Sequence, residues 1–469
     1  MAKSKTDVTI IDGICGSGKT TAAIDLIKKL SIPLESYGGR LEDKFIFVTP
    51  FIMEAHRIAG SIPVDIPTQF ADDPTYEGYE ISEYSEFDED INKNQRQKDG
   101  EILYRKNAPT DRKFILPKST GDGILAAAKL VIQNGKDLVI THATFSNFDK
   151  ELLDLIKYND SVKYHLIIDE VPPVFEMLKN TGIKISQDDI NTLYSMGSLS
   201  IDAEDFVSWV ETEKVKKLDE YLALKNLCDQ RRIVQYTDKK GTLLLMKRQL
   251  PDTFKLFKTV SILTYLFDGS ICKSYFDLYG ITHKSMIISN SKTRDTKYWE
   301  LIQLHNHYNK EINTLKNNAL SKSWYLSNKK NLTELKTVTS NFFNNNRKVN
   351  LDERLWTVFK DFRDAVGGSG YKKRFLVLNS RATNIHKDVK SMAYLVNLYP
   401  YTPISNYFAK KGVKIDNDEY ALAEMIQWIF RGQIRDGKQI NLFLPSPRMK
   451  KILLDWMEEL KKEYEKVNP

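Results

Sequence analysis

The stretch Val8-Thr9-Ile10-Ile11-Asp12-Gly13-Ile14-Cys15-Gly16-Ser17-Gly18-Lys19-Thr20 decides the fold. From Gly13 onward it fits G-x-x-x-x-G-K-[ST]. The run Val8–Asp12 before it is a short β-branched strand. After it, Thr20 to Leu30 carries apolar residues at 23, 24, 26, 27 and 30, a helical period. Strand, glycine loop and helix start, in that order, aim backbone N–H groups and the positive end of a helix dipole at a triphosphate. Gly13, Gly16, Ser17, Gly18, Lys19, Thr20 and Thr21 are therefore the nucleotide-binding candidates. Lys19 would neutralise β- and γ-phosphate charge, and the Thr20 hydroxyl would ligate Mg²⁺. The alternative, a glycine-rich turn, does not call for the lysine, the hydroxyl and both flanking elements together. The expected ligands are ATP, or another nucleoside triphosphate, and Mg²⁺.

At 469 residues the chain exceeds what one core organises, so two to four domains are expected. No apolar run approaches a membrane span, and the start Met-Ala-Lys-Ser-Lys does not read as a signal peptide. Cys15, Cys228 and Cys272 lack metal-ligand spacing and are odd in number, which fits a reducing, cytoplasmic compartment, that of a host if the source is viral. Asn-, Lys- and Ile-rich usage is compatible with an AT-rich genome such as a phage's. The net charge of +7 is unevenly spread: residues 271–390 hold 22 Lys/Arg against 10 Asp/Glu. Interleaved with them are Trp299, Trp324, Trp356, Tyr298, Tyr325, Phe342, Phe343 and Tyr371. Cations for phosphates and rings for bases would make a nucleic-acid path. A solvated basic surface over an aromatic core reads equally well.

Apolar strands recur at Lys44–Thr49, Asp137–Thr141, His165–Asp169 and Val260–Leu266, separated by helical patterns, which argues a doubly wound α/β domain. Positions 71–90 hold nine Asp/Glu and no Lys/Arg, while 93–118 hold eight Lys/Arg, the mark of a surface insertion. Residues 180–255 read mainly as helices, 203–230 above all, with a hairpin around Lys239-Lys240-Gly241. From 298 to 366 the pattern is helical, and Gly367-Gly368-Ser369-Gly370 reads as a flexible joint. Further strands are expected at Arg374–Leu378 and Gln439–Leu444.

The second chemical element is Leu166-Ile167-Ile168-Asp169-Glu170. A carboxylate at the end of an apolar strand can hold the Mg²⁺ shell, and the next one can orient the attacking water. Thr20 and Asp169 are thus the metal candidates. The third element is Gln427-Trp428-Ile429-Phe430-Arg431-Gly432-Gln433-Ile434-Arg435. On a helix, Gln427, Arg431 and Arg435 would share one face, drifting by about 40° per step. Two arginines and a glutamine aimed one way could reach a γ-phosphate, as arginine fingers do; a solvated basic face is the other reading.

This order of motifs resembles superfamily 2 helicases, especially phage-type DEAD/DEAH-like helicases. Gly13–Thr20 is similar to motif I, Phe47-Val48-Thr49-Pro50 to motif Ia, and Thr141-His142-Ala143 to the segment preceding the Walker B strand. Asp169-Glu170 resembles motif II, Leu263-Thr264-Tyr265 occupies the place of motif III, Asn379-Ser380-Arg381 that of motif IV, and Gln427–Arg435 that of motif VI. The resemblance implies an α/β fold of two RecA-like P-loop NTPase domains with helical insertions. The first would span 1–290, with insertions at about 60–135 and 180–255. A basic helical linker would follow over 291–370, and a smaller RecA-like domain over 371–469. It implies an ATP-dependent helicase or translocase, hydrolysing nucleotide between the two domains through Lys19, Asp169, Glu170, Gln427, Arg431 and Arg435. Nucleic acid, DNA rather than RNA, would be touched by Thr49, Pro50, Thr141, His142, Asn379 and Arg381. The implied partners are replication or recombination proteins, with no membrane.

The sequence also departs from the family. Around motif III only Thr264 keeps a hydroxyl, which weakens the expected link between hydrolysis and strand movement. The final arginine of motif VI is displaced by one position, to Arg435. Motif II continues Val171-Pro172. Only a dozen residues precede the phosphate loop, so no adenine-reading glutamine segment is expected and base selectivity should be loose. A P-loop nucleotide or small-molecule kinase, and a nucleic-acid-binding protein with a decayed or switch-like ATPase, stay open as alternatives.

Overall fold

The structure is a computed structural model that describes residues 6–30, 42–59, 61–63, 79–82, 102–105, 112–118, 123–212, 218–288, 290–305, 315–327, 331–345, 349–378 and 386–467. Most of the insertion expected over 60–135 lies outside the described residues. The chain is a mixed α/β protein that divides into two compact units. One comprises Met1–Ile11, Thr20–Thr264 and Tyr275–Met286, the other Asp12–Lys19, Tyr265–Ser274 and Ile287–Pro469.

The first unit is built on a seven-stranded sheet in the order Lys284–Ile287, Asp7–Asp12, Thr259–Thr264, Val162–Asp169, Glu42–Thr49, Asp137–Thr141, Phe114–Ile115. From Thr259–Thr264 to Phe114–Ile115 each neighbouring pair is parallel. Parallel strands are covered on both faces, and so read as unbroken apolar runs rather than alternating ones. Phe45 to Val48, Leu138 to Ile140 and Leu166 to Ile168 are all buried accordingly. The register pairs Thr49 with Thr141, Val48 with Ile168, and Leu263 with Asp169. The polar residues that end these runs therefore line one edge of the sheet, the carboxyl edge at which open α/β sheets bind ligands.

Residues 175–248 form a module beside this sheet. Its helices are Gln187–Ser195 and Leu218–Asp229. The helix anticipated through 203–230 holds only for its second half. Asp202 accepts the N–H groups of Glu204 and Phe206, and Asp205 turns through φ 71°, which folds Leu199–Ile201 onto Val207–Trp209 as an antiparallel pair. The hairpin forms as expected: Ile233–Thr237 pairs with Leu243–Arg248 around a turn in which Gly241 has φ 81°. Phe175–Met177 adds the third strand.

The second unit carries a four-stranded parallel sheet in the order Ile302–Leu304, Ile440–Phe443, Ser391–Tyr394, Arg354–Thr357. Two of these strands come from 291–370, so that segment is not a helical linker but half of the sheet. The strand expected at Arg374–Leu378 shrinks to one bridge, Phe375 to Trp356, after a single 3₁₀ turn over Lys372–Arg374. The glycine segment before it is no loose joint. A Cβ on Gly368 would stand 2.6 Å from Ser340 Oγ and from the Tyr371 ring, and Tyr371 donates to the Val366 carbonyl at 2.6 Å. The close approach requires glycine there and brings the chain in as a packed turn.

The aromatic residues of the basic region are mostly core. Tyr298, Tyr325, Phe342, Phe343, Trp356 and Tyr371 are all at most 2% exposed. Buried rings cannot stack on bases, so the composition of 271–390 is explained by an aromatic core beneath a basic surface.

Candidate nucleotide site

Asp7–Asp12 delivers the chain into the phosphate loop, and Lys19–Leu30 leaves it as a helix. Gly16 and Gly18 turn through φ 91° and 86°, which L side chains rarely adopt. Ser17 N–H donates to the Ile14 carbonyl at 3.0 Å and closes the loop. Lys19 is 8% exposed and its ammonium donates to the Gly13 carbonyl at 2.5 Å and the Ile14 carbonyl at 3.3 Å. Those carbonyls hold the charge where a phosphate oxygen would take it. The buried Ser17 hydroxyl makes no hydrogen bond among the described residues. An orphaned buried donor is costly unless a ligand supplies its partner. The loop therefore fits a phosphate chain, and Thr20, in the first turn of the helix, is placed to add its hydroxyl to a Mg²⁺ shell.

The loop's neighbours within the second unit, to which Asp12–Lys19 itself belongs, were not legible in the sequence. Asp12 accepts the N–H groups of Leu266 and Phe267, each at 3.2 Å. Burial pushes its carboxyl above the usual range, against the pull of those two N–H groups and of Lys19. Asn290 Nδ2 donates to the Gly16 carbonyl at 3.0 Å. A Cβ on Gly16 would lie 3.6 Å from both Cγ and the carbonyl oxygen of Arg435, so Arg435 stands directly over the loop. Just beyond the Asp12 contacts, Gly269 lies so close to the Glu419 carbonyl that a Cβ would fall at 2.3 Å.

Gln427 lies on the helix Asn417–Ile429, which Asp416 caps through the N–H groups of Asp418 and Glu419. The helix stops there, and the shared face expected for Gln427, Arg431 and Arg435 does not form. Arg431 N–H already reaches back only to the Trp428 carbonyl. Gly432 then lets the chain turn against Val389 and Met392, where a Cβ would approach within 3.0 Å. Arg435 follows on a separate 3₁₀ turn, Gln433–Asp436, and is exposed. Arg431 sits elsewhere: its charge and that of Arg374 add to burial in pulling His386 down to about 4.

In the first unit, Asp169 ends its strand and Glu170 leaves it in a left-handed turn, φ 62°. Such a conformation costs a non-glycine residue about 1–3 kcal/mol and concentrates at functional sites. It is held by the Glu170 N–H, which donates to the Leu263 carbonyl at 2.8 Å. Thr141 caps the short helix His142–Phe145, and His142 Nε2 lies 2.8 Å from the Asp169 carbonyl. Since a carbonyl only accepts, Nε2 carries the proton. Two of the residues expected to touch nucleic acid are buried. His142 is 5% exposed and engaged with Asp169, and Thr49 is fully buried with its hydroxyl donated to the Phe51 carbonyl. Pro50 and Thr141 are half-buried. Asn379 and Arg381 lie outside the described residues. Thr264 is also buried, and Tyr265 after it accepts from Trp456 Nε1 at 3.0 Å, so the place of motif III is taken by packing.

No described helix is long and apolar enough to cross a membrane. Residues 296–457 match a family described as the YonV C-terminal Rossmann-like domain, and residues 181–246 match one described as the YonV middle domain. The Rossmann-like description agrees with the parallel sheet of the second unit. A solved structure of S. tokodaii Xpd4 is similar with a TM-score of 0.47 at 11% identity, covering 96% of this chain and 94% of that one. The SPbeta prophage-derived uncharacterized protein YonV of Bacillus subtilis (strain 168) is 30% identical over 472 residues, spanning 96% of this chain and 98% of its own length. With nearly the whole length shared, the chain belongs to the YonV family.

Proposed function

We propose that this YonV-family protein is an NTP-driven translocase or helicase acting on nucleic acid, with DNA the preferred strand. The observation that carries the reading is the phosphate loop, with a buried lysine and an orphaned serine hydroxyl inside it and Arg435 standing over Gly16. Nucleotide would displace the Gly13 and Ile14 carbonyls from Lys19. Thr20 and Asp169 would hold Mg²⁺, which when bound draws charge off the phosphates. Glu170, turned out of its strand, is the group suited to orient water. Arg435, which stands over Gly16, is the group suited to neutralise charge developing on the γ-phosphate. A role in replication or recombination, with proteins of those processes as partners, belongs to the same reading and follows only from the motif resemblance.

A second reading, a nucleic-acid-bound switch with slow turnover, is favoured by the buried Thr264 and the Tyr265–Trp456 contact at the place of motif III. A phosphoryl-transfer enzyme with an acceptor pocket would leave Arg435 without a task.

The deciding experiment measures hydrolysis of ATP, GTP, CTP and UTP alone and with single-stranded DNA, duplex DNA, forked DNA and RNA. A translocase is stimulated by nucleic acid, a switch binds without comparable turnover, and a kinase is indifferent. Glu170→Gln should retain nucleotide while losing turnover; normal hydrolysis by that variant would place the water-orienting group elsewhere.

A further inference from the structure

The module over 175–248 is joined to the segment after the strand Asp137–Thr141 by buried polar side chains. Arg232, 1% exposed, donates from Nη2 to the Ser146 carbonyl at 2.5 Å and to Gln249 Oε1 at 3.0 Å, and from Nε to the Arg248 carbonyl at 3.3 Å. Gln249 Nε2 donates in turn to the Phe145 carbonyl at 3.0 Å, and Tyr275 donates to the Gln249 carbonyl at 2.6 Å. Lys247, 5% exposed, donates to Asn147 Oδ1 at 2.9 Å, with Glu176 at 3.9 Å. Arg232 and Lys247 of the module, with Gln249 just after it, grip one short stretch, Phe145 to Asn147.

That stretch is the far end of the helix His142–Phe145, whose first residue holds the Asp169 carbonyl. Carbonyls at a helix C-terminus need partners, and here the module supplies them. The helix has one turn, so its two ends move together. A displacement of the hairpin Ile233–Arg248 is therefore delivered through Phe145 and Ser146 to His142, and through His142 to the residue before Glu170. The module has little of the charge expected of a nucleic-acid grip: residues 181–246 hold 9 Lys/Arg against 11 Asp/Glu.

We infer that the middle module is a lever that positions the Asp169–Glu170 turn, with Arg232, Gln249 and His142 as its positioning residues. This rests on the hydrolase reading for its effect on rate, but not for the mechanical link itself. Two independent readouts keep them apart. The full-length protein is compared with Arg232→Lys, Gln249→Leu, His142→Ala and the Arg232→Lys/His142→Ala double variant.

Amide exchange is followed at residues 163–171, where the Glu170 N–H bonds to the Leu263 carbonyl, and at helix 187–195 as an internal control. The lever predicts faster exchange at 163–171 in each variant that keeps the control protected. It predicts a fall in kcat of roughly tenfold to a hundredfold, as misplaced reacting groups give, with nucleotide Kd within twofold. It also predicts that the double variant is no worse than the poorer single one, because both act on one chain of contacts. Should Arg232→Lys fail to fold, Gln249→Leu with His142→Ala completes the same cycle. Exchange that rises at 142–148 but stays at the parental rate at 163–171 would overturn the lever, as would additive losses in the double variant. If no variant and no parent hydrolyses nucleotide while exchange at 163–171 still responds, the lever stands and the hydrolase reading falls.

Discussion

Two regions, one in each unit, treat charged side chains and aromatic rings differently. In the first, the interior beside Phe145–Asn147 contains an arginine and a lysine whose bonds go to carbonyls and amides. In the second, the region richest in basic residues buries Trp356, Phe343, Tyr371 and Tyr325 and leaves most of its described lysines outside. Local composition left a nucleic-acid path and a plain aromatic core equally open in the basic stretch, and read the 180–255 insertion as mainly helical. Rings are placed by the area they remove from water, which depends on the sheet beneath them and not on their charged neighbours. A buried cation is tolerated only where its donors are satisfied, and that too is a property of the fold.

The sharpest way to break the comparison is Trp356→Ala. As a core residue it should cost about 3–5 kcal/mol of stability, read by urea denaturation. A stacking platform would instead lose nucleic-acid affinity and keep its stability.

Next is the pH dependence of the buried lysine. Burial, with the Arg232 charge beside it, pulls Lys247 down to about 8 from its ordinary 10.5, Glu176 opposing. Between those values the unfolded chain holds a proton that the folded one has released, so stability rises with pH across the window. The cost of charging Lys247 is fully present below pH 8. Relative to Lys247→Met, the parent should therefore gain on the order of 3 kcal/mol between pH 8 and 10.5. A constant difference across that range would show that the amine is solvated.

The smallest effect is expected at His386. Lowered by burial, Arg374 and Arg431 to about 4, it should stay neutral at pH 5 and 6 in an NMR titration, and Arg431→Gln should raise its midpoint. The stability tied to it is lost as pH falls from 6.5 toward 4, because the unfolded chain takes up the proton first. No response to Arg431→Gln would move that guanidinium away from His386 and reopen its assignment to the phosphates.

Much of the first unit was legible because its signals are local. Unbroken β-branched and apolar runs mark its buried parallel strands; in the second unit, Gly16 and Gly18 likewise mark a loop whose φ of 91° and 86° favours glycine. Asp169 and Glu170 were singled out by their place after an apolar strand, and the strand does end at Asp169. The shared helical face of Gln427, Arg431 and Arg435 was misread, since spacing alone cannot reveal that Gly432 must turn against Met392 and Val389. The inward bonds of Thr49 and His142 were not legible for a related reason: a polar residue at a strand end can be satisfied inward, by the Phe51 and Asp169 carbonyls, as readily as by a ligand. Asn290, the Asp12 contacts and the Arg232 grip join residues far apart in the chain, and no periodicity carries them.

The most direct test of the central claim is steady-state NTP hydrolysis, with saturating single-stranded DNA, by the parent protein, Lys19→Ala and Arg435→Ala. The account predicts turnover by the parent, none by Lys19→Ala, and a kcat reduced about a thousandfold or more by Arg435→Ala with DNA affinity unchanged. Hydrolysis by Arg435→Ala at the parental rate, or by Lys19→Ala at any comparable rate, would contradict it.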